Sequence, residues 1–115
     1  MKPWLETQRE TYQDALMAAA TIPNSEDPKA KKRAIDDFWR LYQGKMILVE
    51  TKSVSGAMVQ YGYCLDGSEF CSKGEMNTRC RALATAMAAS MAATAKMTFQ
   101  QFAANQFRYS SGPRD

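Results

Sequence analysis

Side chains that could run a reaction are scarce in these 115 residues. There is no histidine, so the commonest general base, metal ligand and partner for a serine or cysteine nucleophile is missing. Three cysteines, Cys64, Cys71 and Cys80, fall short of a four-ligand zinc site without an added carboxylate, and no two of them are spaced as CxxC. No glycine-rich phosphate cradle occurs. What remains for acid–base work is carboxylates: Glu6 and Glu10 four residues apart, and Asp36-Asp37 close behind Glu26-Asp27. Paired carboxylates do such work where burial pushes their pKa values apart. These lie opposite the apolar stripes of their segments, where carboxylates are solvated. The expectation is therefore no catalytic residue, no cofactor, no metal and no enzyme.

Two further groups bear on binding. Lys29, Lys31, Lys32 and Arg33 cluster in the first turns of a helical segment, a candidate contact for an anionic partner such as lipid headgroups or an acidic protein surface, although a solvated face is the simpler reading. Trp39, Arg40, Tyr42 and Lys45 interleave aromatic and basic residues as stacking platforms for single-stranded nucleic acid do. Core packing accounts for the same aromatics, and a net charge of +3 with a pI near 8.8 is less basic than nucleic-acid binding domains usually are. Nucleic acid is not the expected partner. The cysteines leave an odd thiol however they pair. In a reducing cytosol all three are free and Cys80 is a small core residue, which we take as the expectation. In an oxidising periplasm, Cys64 and Cys71 would staple two helix ends across a short loop.

The elements that position these groups read as helices. Hydrophobic residues make up 45% and charged residues 23% of the chain, the composition of one folded domain. Much of the apolar share is Ala and Met, which favour helix over strand. Leu5, Gln8, Tyr12, Ala15, Ala19 and Ile22 recur at three- and four-residue spacing and predict a helix over 3–22, with Pro3 in its first turn. Asp27 as N-cap and Pro28 behind it open a second helix over 27–43. Ala34, Ile35, Phe38, Leu41 and Tyr42 form its stripe and Gly44 stops it. Residues 45–65 are ambiguous, and a third helix over 46–65 is the expectation. Met46 to Val49 suits a strand and Ser55-Gly56 a hairpin turn, but Ile47, Val54, Met58, Tyr61 and Leu65 fit one helical face better. Asp66-Gly67-Ser68 is a turn. Ser72 with Glu75 then matches a capping box and opens a fourth helix over 72–97, with Met76, Cys80, Leu83, Met87, Met91 and Met97 on or beside one stripe. A short helical extension carries Phe99, Phe102 and Phe107. No uncharged run reaches the roughly 18 apolar residues that span a bilayer.

The strings Phe38-Trp39-Arg40-Leu41-Tyr42-Gln43-Gly44, Ile47-Leu48-Val49-Glu50 and Ala57-Met58-Val59-Gln60-Tyr61-Gly62 resemble those of a family of small bacterial proteins of undefined activity. Its members read FWxLYxGxLxxVE, then AMVxFG, then a Cys-led cap and an Ala-rich helix. The resemblance covers residues 2 to 97 and departs from the family pattern at Gln43-Gly44-Lys45, where Gly-Pro is common, and in the Met-rich last helix. It implies helix at 47–63 and a helical cytoplasmic domain that follows one membrane-spanning segment. It carries over no catalytic or binding residue.

Together these readings predict an all-α fold: an antiparallel four-helix bundle with a short C-terminal helical extension, one domain over 1–109 and a disordered tail over 110–115. The alternative is α+β with a hairpin at 46–64. The expected function is a non-enzymatic helical module for protein interaction or self-association. Its interaction surface is drawn from Trp4, Met87, Met91, Phe99, Phe102 and Phe107, because Ala and Met helices accept partner helices closely and surplus aromatics serve as anchors. An immunity or inhibitor-type protein that binds a bacterial effector is the first alternative. A weak binder of nucleic acid or anionic membranes through Lys29, Lys31, Lys32 and Arg33 is the second. The expected location is the cytoplasm, at the inner face of the membrane, with the periplasm as the alternative. Membrane contact would come only through an anchor outside this sequence or through the basic patch.

Overall fold

The structure, a computed structural model, describes residues 2–44, 46 and 50–110, with side chains for 5–44, 46, 50–97 and 100. The described residues form four α-helices and no strand: α1 (Lys2–Asn24), α2 (Pro28–Gln43), α3 (Lys52–Leu65) and α4 (Lys73–Ser110). Helix α1 packs against α2 and α4, and α3 packs against α4. The Phe38 and Tyr61 rings, 5.2 Å apart, bridge α2 to α3. The fold is an all-α bundle, and the hairpin alternative is overturned because 52–64 lies within one continuous helix.

Helix α1 buries the predicted face, with Gln8, Tyr12, Ala15, Ala19 and Ile22 all at 3% exposure or less. It runs two residues beyond the expected Ile22, through Pro23 to Asn24. Proline has no N–H, so the carbonyl four residues back, that of Ala19, loses its helical donor. The Tyr61 hydroxyl of α3 replaces that donor, with its oxygen 2.5 Å from the Ala19 oxygen in a buried bond. A fully buried tyrosine needs a partner for its hydroxyl and a Pro-interrupted helix needs a donor, so each satisfies the other.

Helix α2 opens as its sequence predicts. Asp27 Oδ1 accepts from the Lys29 N–H at 3.0 Å and Pro28 takes the first turn, while the Gly44 N–H closes the far end on the Leu41 carbonyl. Ala34, Phe38 and Leu41 are buried. Trp39 and Tyr42 stack edge-on at 5.2 Å beside Phe38, and Gly62 of α3 lies close beneath the Trp39 ring, where a Cβ would come within 3.2 Å of Cη2. The aromatic string at 38–42 is thus packing material between α2 and α3.

Helix α3 starts at Lys52, six residues after the expected start at 46, with Thr51 in extended conformation at its N-cap. Met46 is helical and fully buried, and the Glu50 N–H bonds back to its carbonyl at 2.9 Å. The apolar string Ile47-Leu48-Val49 lies outside the described residues. Val54, Met58 and Tyr61 occupy the core as their spacing requires. Helix α4 is one unbroken element rather than a helix with a separate extension. Its 38 residues reach about 57 Å at 1.5 Å per residue. Tyr12–Ser90 at 2.8 Å, Gln8–Thr94 at 3.1 Å and Asn24–Asn77 at 3.0 Å fix α1 antiparallel to α4. In this register Lys2 lies level with about residue 100, so the last turns of α4 run past the start of α1. The expected tail begins at Ser110, the last residue of α4; residues 111–115 lie outside the description. No helix of the described residues is long and apolar enough to cross a membrane.

Candidate functional site

The largest concentration of built detail on the surface is the link between α3 and α4. Cys64 in the last turn of α3 and Cys71 ahead of α4 are joined as a disulfide, their Cα atoms 5.3 Å apart. This corrects the free-thiol expectation: the stapled alternative is the one observed, and Cys80 alone is free and buried. Inside the closed loop, Asp66 Oδ1 accepts from the Ser68 N–H at 2.8 Å, the side-chain turn that Asp favours. The Ser68 side chain first, and the Ser68 N–H next, hold the Asp66 carboxyl below its ordinary pKa by hydrogen bonding. Gly67 sits at φ +85°, a left-handed conformation that side chains with a Cβ rarely adopt. The Glu69 N–H returns to the Tyr63 carbonyl at 3.1 Å.

Arg79 braces the loop from below. Its guanidinium donates to Glu75 Oε2 at 2.8 Å, to Glu69 Oε1 and to the Gln60 carbonyl at 2.8 Å, joining α4, the loop and α3 in one fork. The two carboxylates raise its pKa further, Glu75 first. A planar guanidinium with fixed donor directions makes such a three-way contact where a lysine would not. Ser72 caps α4 by accepting from the Glu75 N–H at 3.1 Å. Only this half of the expected capping box forms through Ser72, because the Glu75 carboxylate turns to Arg79.

What this bracing presents is Phe70, 96% exposed. Leaving a phenylalanine side chain in water forgoes about 1.5–3 kcal/mol of burial. Two other large apolar residues stand out from the described surface, Met17 at 70% and Met97 at 61%. Neither lies in a closed loop.

The residues expected to matter are scattered. Met87 is 2% exposed and belongs to the core, so it is not part of any surface. Met91 is half-buried and, with Leu5, Arg9 and Ala95, lines a shallow apolar depression of about 210 Å³ between α1 and α4. Trp4, Phe99, Phe102, Phe107 and Lys45 lie outside the residues whose side chains are described. Lys29, Lys31, Lys32 and Arg33 are all exposed but do not form one patch. At 100° per residue Lys31 points away from the other three, Lys32 is paired with Asp36 at 3.2 Å, and Arg33 lines a groove between α1 and α2. Glu6 and Glu10 are exposed, and Asp37 is paired with Arg40 at 3.1 Å. Among the described residues no three His, Cys, Asp or Glu side chains are grouped to hold a metal. Burial pushes the Cys80 thiol up and the adjacent Tyr61 phenol higher still, with Cys80 as the smaller cause. Both are core groups held neutral.

Sequence reading missed Phe70. Its signal was there: one aromatic with no apolar neighbour at helical spacing, set in a turn-forming segment between two cysteines seven residues apart. No family of known proteins, no curated protein and no solved structure matches this chain.

Proposed function

We propose that this protein is a non-enzymatic interaction module of an oxidising compartment, and that it docks a protein partner by seating Phe70 in an apolar pocket. The observation that carries the reading is the 96% exposure of Phe70 on a loop closed by a disulfide and braced by Arg79. Fold stability gives no reason to carry a bare aromatic ring on a braced backbone in water. Binding does, because an anchor ordered in advance loses little conformational entropy on docking, and aromatic anchors dominate interface energetics. The same pre-organisation favours the inhibitor or immunity-type form of the reading, in which a stiff loop enters a partner's cleft. The oxidising compartment is proposed from Cys64–Cys71, since the cytosol keeps such thiols reduced. It departs from the cytoplasmic placement that the family resemblance implies.

The test is a photo-crosslinking residue at position 70, compared with one at the exposed Gln60, in the cells that make the protein. A discrete adduct at 70 and none at 60 is expected, and it should vanish when Cys64 and Cys71 are both replaced by serine. Equal patterns at the two positions would refute the docking loop. Three reactive thiols in protein taken from its native compartment, rather than one, would refute the compartment.

A further inference from the structure

We infer that the seam between α1 and α2 is a two-fold self-association face whose occupant is a second copy of this chain. The seam holds a groove of about 490 Å³ with Ala18, Ala30 and Ala34 at its floor, Met17 standing at its lip and Asp14, Arg33, Asp37 and Arg40 along it. Because α1 and α2 are joined across only 25–27, residues equally far from Glu26 lie at about the same height. Met17 is then level with Ile35, and Asp14 with Phe38. Climbing the seam from the turn, the charges come in the order Arg33, then Asp14 with Asp37, then Arg40. The level of Met17 falls midway between Arg33 and the two acids.

That order is self-complementary. A two-fold axis through the Met17 level, perpendicular to the helices, sets Arg33 of each copy against Asp14 and Asp37 of the other. Met17 of each copy then meets Met17 of the other at the axis, over the alanine floors of the two grooves. An axis parallel to the helices would instead set acid on acid and base on base, so the antiparallel pairing is selected. Asp37 is already shared with Arg40, whereas Asp14 and Arg33 enter no ion pair within the described residues and are the charges left to pair between copies. The groove balances two acids with two bases, so two copies approach without net repulsion. Two 70% exposed methionines that meet at the axis, above floors of small residues, give the pairing an apolar centre flanked by the charged contacts. No residue of the loop that carries Phe70 lines this groove, so the pairing goes beyond the proposed docking and stands whether or not that proposal holds.

The full, oxidised chain tests it in sedimentation equilibrium up to about 1 mM, a range in which small interfaces still register. The average mass should climb from 12.9 kDa toward twice that value, less steeply at high salt. Met17→Glu, Arg33→Asp and Asp14→Arg should each remain monomeric while keeping the wild-type circular dichroism, since all three positions are exposed. Mixing Arg33→Asp with Asp14→Arg restores opposite charges at both 14–33 contacts and should give a heterodimer on the order of tenfold tighter than either variant alone. A wild-type chain that stays monomeric throughout would overturn the inference and leave the face to solvent or another protein. So would a dimer untouched by the single reversals, or a mixture that fails to associate.

Discussion

The hydrogen bond between Tyr61 and Ala19 gives the sharpest test of how this fold is held. Pro23 strips the Ala19 carbonyl of its helical donor, and the Tyr61 hydroxyl supplies another from a helix 42 residues further along the chain. Both residues are 0% exposed, so water has no access to either group in the folded state. Tyr61→Phe keeps the ring against Phe38 but leaves a buried carbonyl without a donor, which costs about 1–3 kcal/mol. For a domain of this size that lowers the melting temperature by roughly 4–12 °C. Pro23→Ala changes the arithmetic, because the substituted alanine brings an N–H that points at the same carbonyl.

The two substitutions therefore form a double-mutant cycle. Tyr61→Phe should cost about 1–3 kcal/mol with proline at 23, and about 1–2 kcal/mol less with alanine there, because the carbonyl then has its helical partner. Any packing lost with the buried proline ring appears on both sides of the cycle and cancels. Urea unfolding followed by circular dichroism, with the disulfide intact throughout, measures all four corners. Equal costs of Tyr61→Phe in the two backgrounds, within about 0.5 kcal/mol, would show that the hydroxyl does not stand in for the missing helical donor.

Four other outcomes follow from the same contacts. Phe70→Ser should leave stability within the roughly ±0.5 kcal/mol scatter of surface changes while abolishing the partner adduct formed from a photo-crosslinking residue at the neighbouring exposed Lys73; clear destabilisation would mean the ring packs rather than docks. Burial pushes the Glu50 carboxyl up against a smaller opposing hydrogen bond from Ser55, so its contribution to stability is full below its unfolded pKa and is lost as pH rises through the folded one. Glu50→Gln should therefore stabilise the chain at about pH 7 and lose that advantage near pH 3.5, and thermal scans at the two values would expose the opposite order. Gly56→Ala meets nothing within 4 Å whereas Gly62→Ala meets Trp39 at 3.2 Å, so the first should gain up to about 1 kcal/mol of helix propensity and the second little or none; equal gains would show that the Trp39 ring yields freely. Reduction of Cys64–Cys71 should speed amide exchange in 64–72 and leave the exchange of α1 and α2 unchanged, and loss of protection throughout would place the disulfide at the root of the fold.

Much of the bundle was legible because its signals are local. The three- and four-residue spacing marked the buried faces of α1 to α4, and Asp27-Pro28 marked the opening of α2, since capping needs only the residues that perform it. The start of α3 was misjudged because Met46 does join the core, ahead of the extended Thr51, and periodicity alone continued the stripe across the break. Helix α4 outran its expected end because nothing between Met97 and Ser110 breaks a helix; Thr98 and the phenylalanines lower propensity without stopping it. Met87 was assigned to a surface because an Ala and Met stripe reads alike whether it faces its own bundle or a partner. Long-range facts left no trace in the pattern. The Tyr61–Ala19 bond needs the heights of two helices, and the disulfide needed a choice of compartment that composition does not make.

Where the rigidity is placed argues for the loop as the working part. A crosslink closing so short a loop restrains the unfolded chain by only about 2–3 kcal/mol, against nearly 5 for a loop of 100 residues. A protein using one disulfide to hold its bundle together would gain more by tying α1 to α4, far apart in the chain, whose register is set by the polar pairs Tyr12 with Ser90 and Gln8 with Thr94. Instead the crosslink, a left-handed Gly67, an Asp66 side-chain turn and a three-way guanidinium fork all converge on eight residues, none of them in the core cluster apart from the half-buried Leu65 at its edge. Their common effect is to hold the backbone that carries one exposed ring. Constraint invested where it adds least to folding, on the backbone beside the most exposed aromatic among the described residues, is what the proposed docking of Phe70 requires.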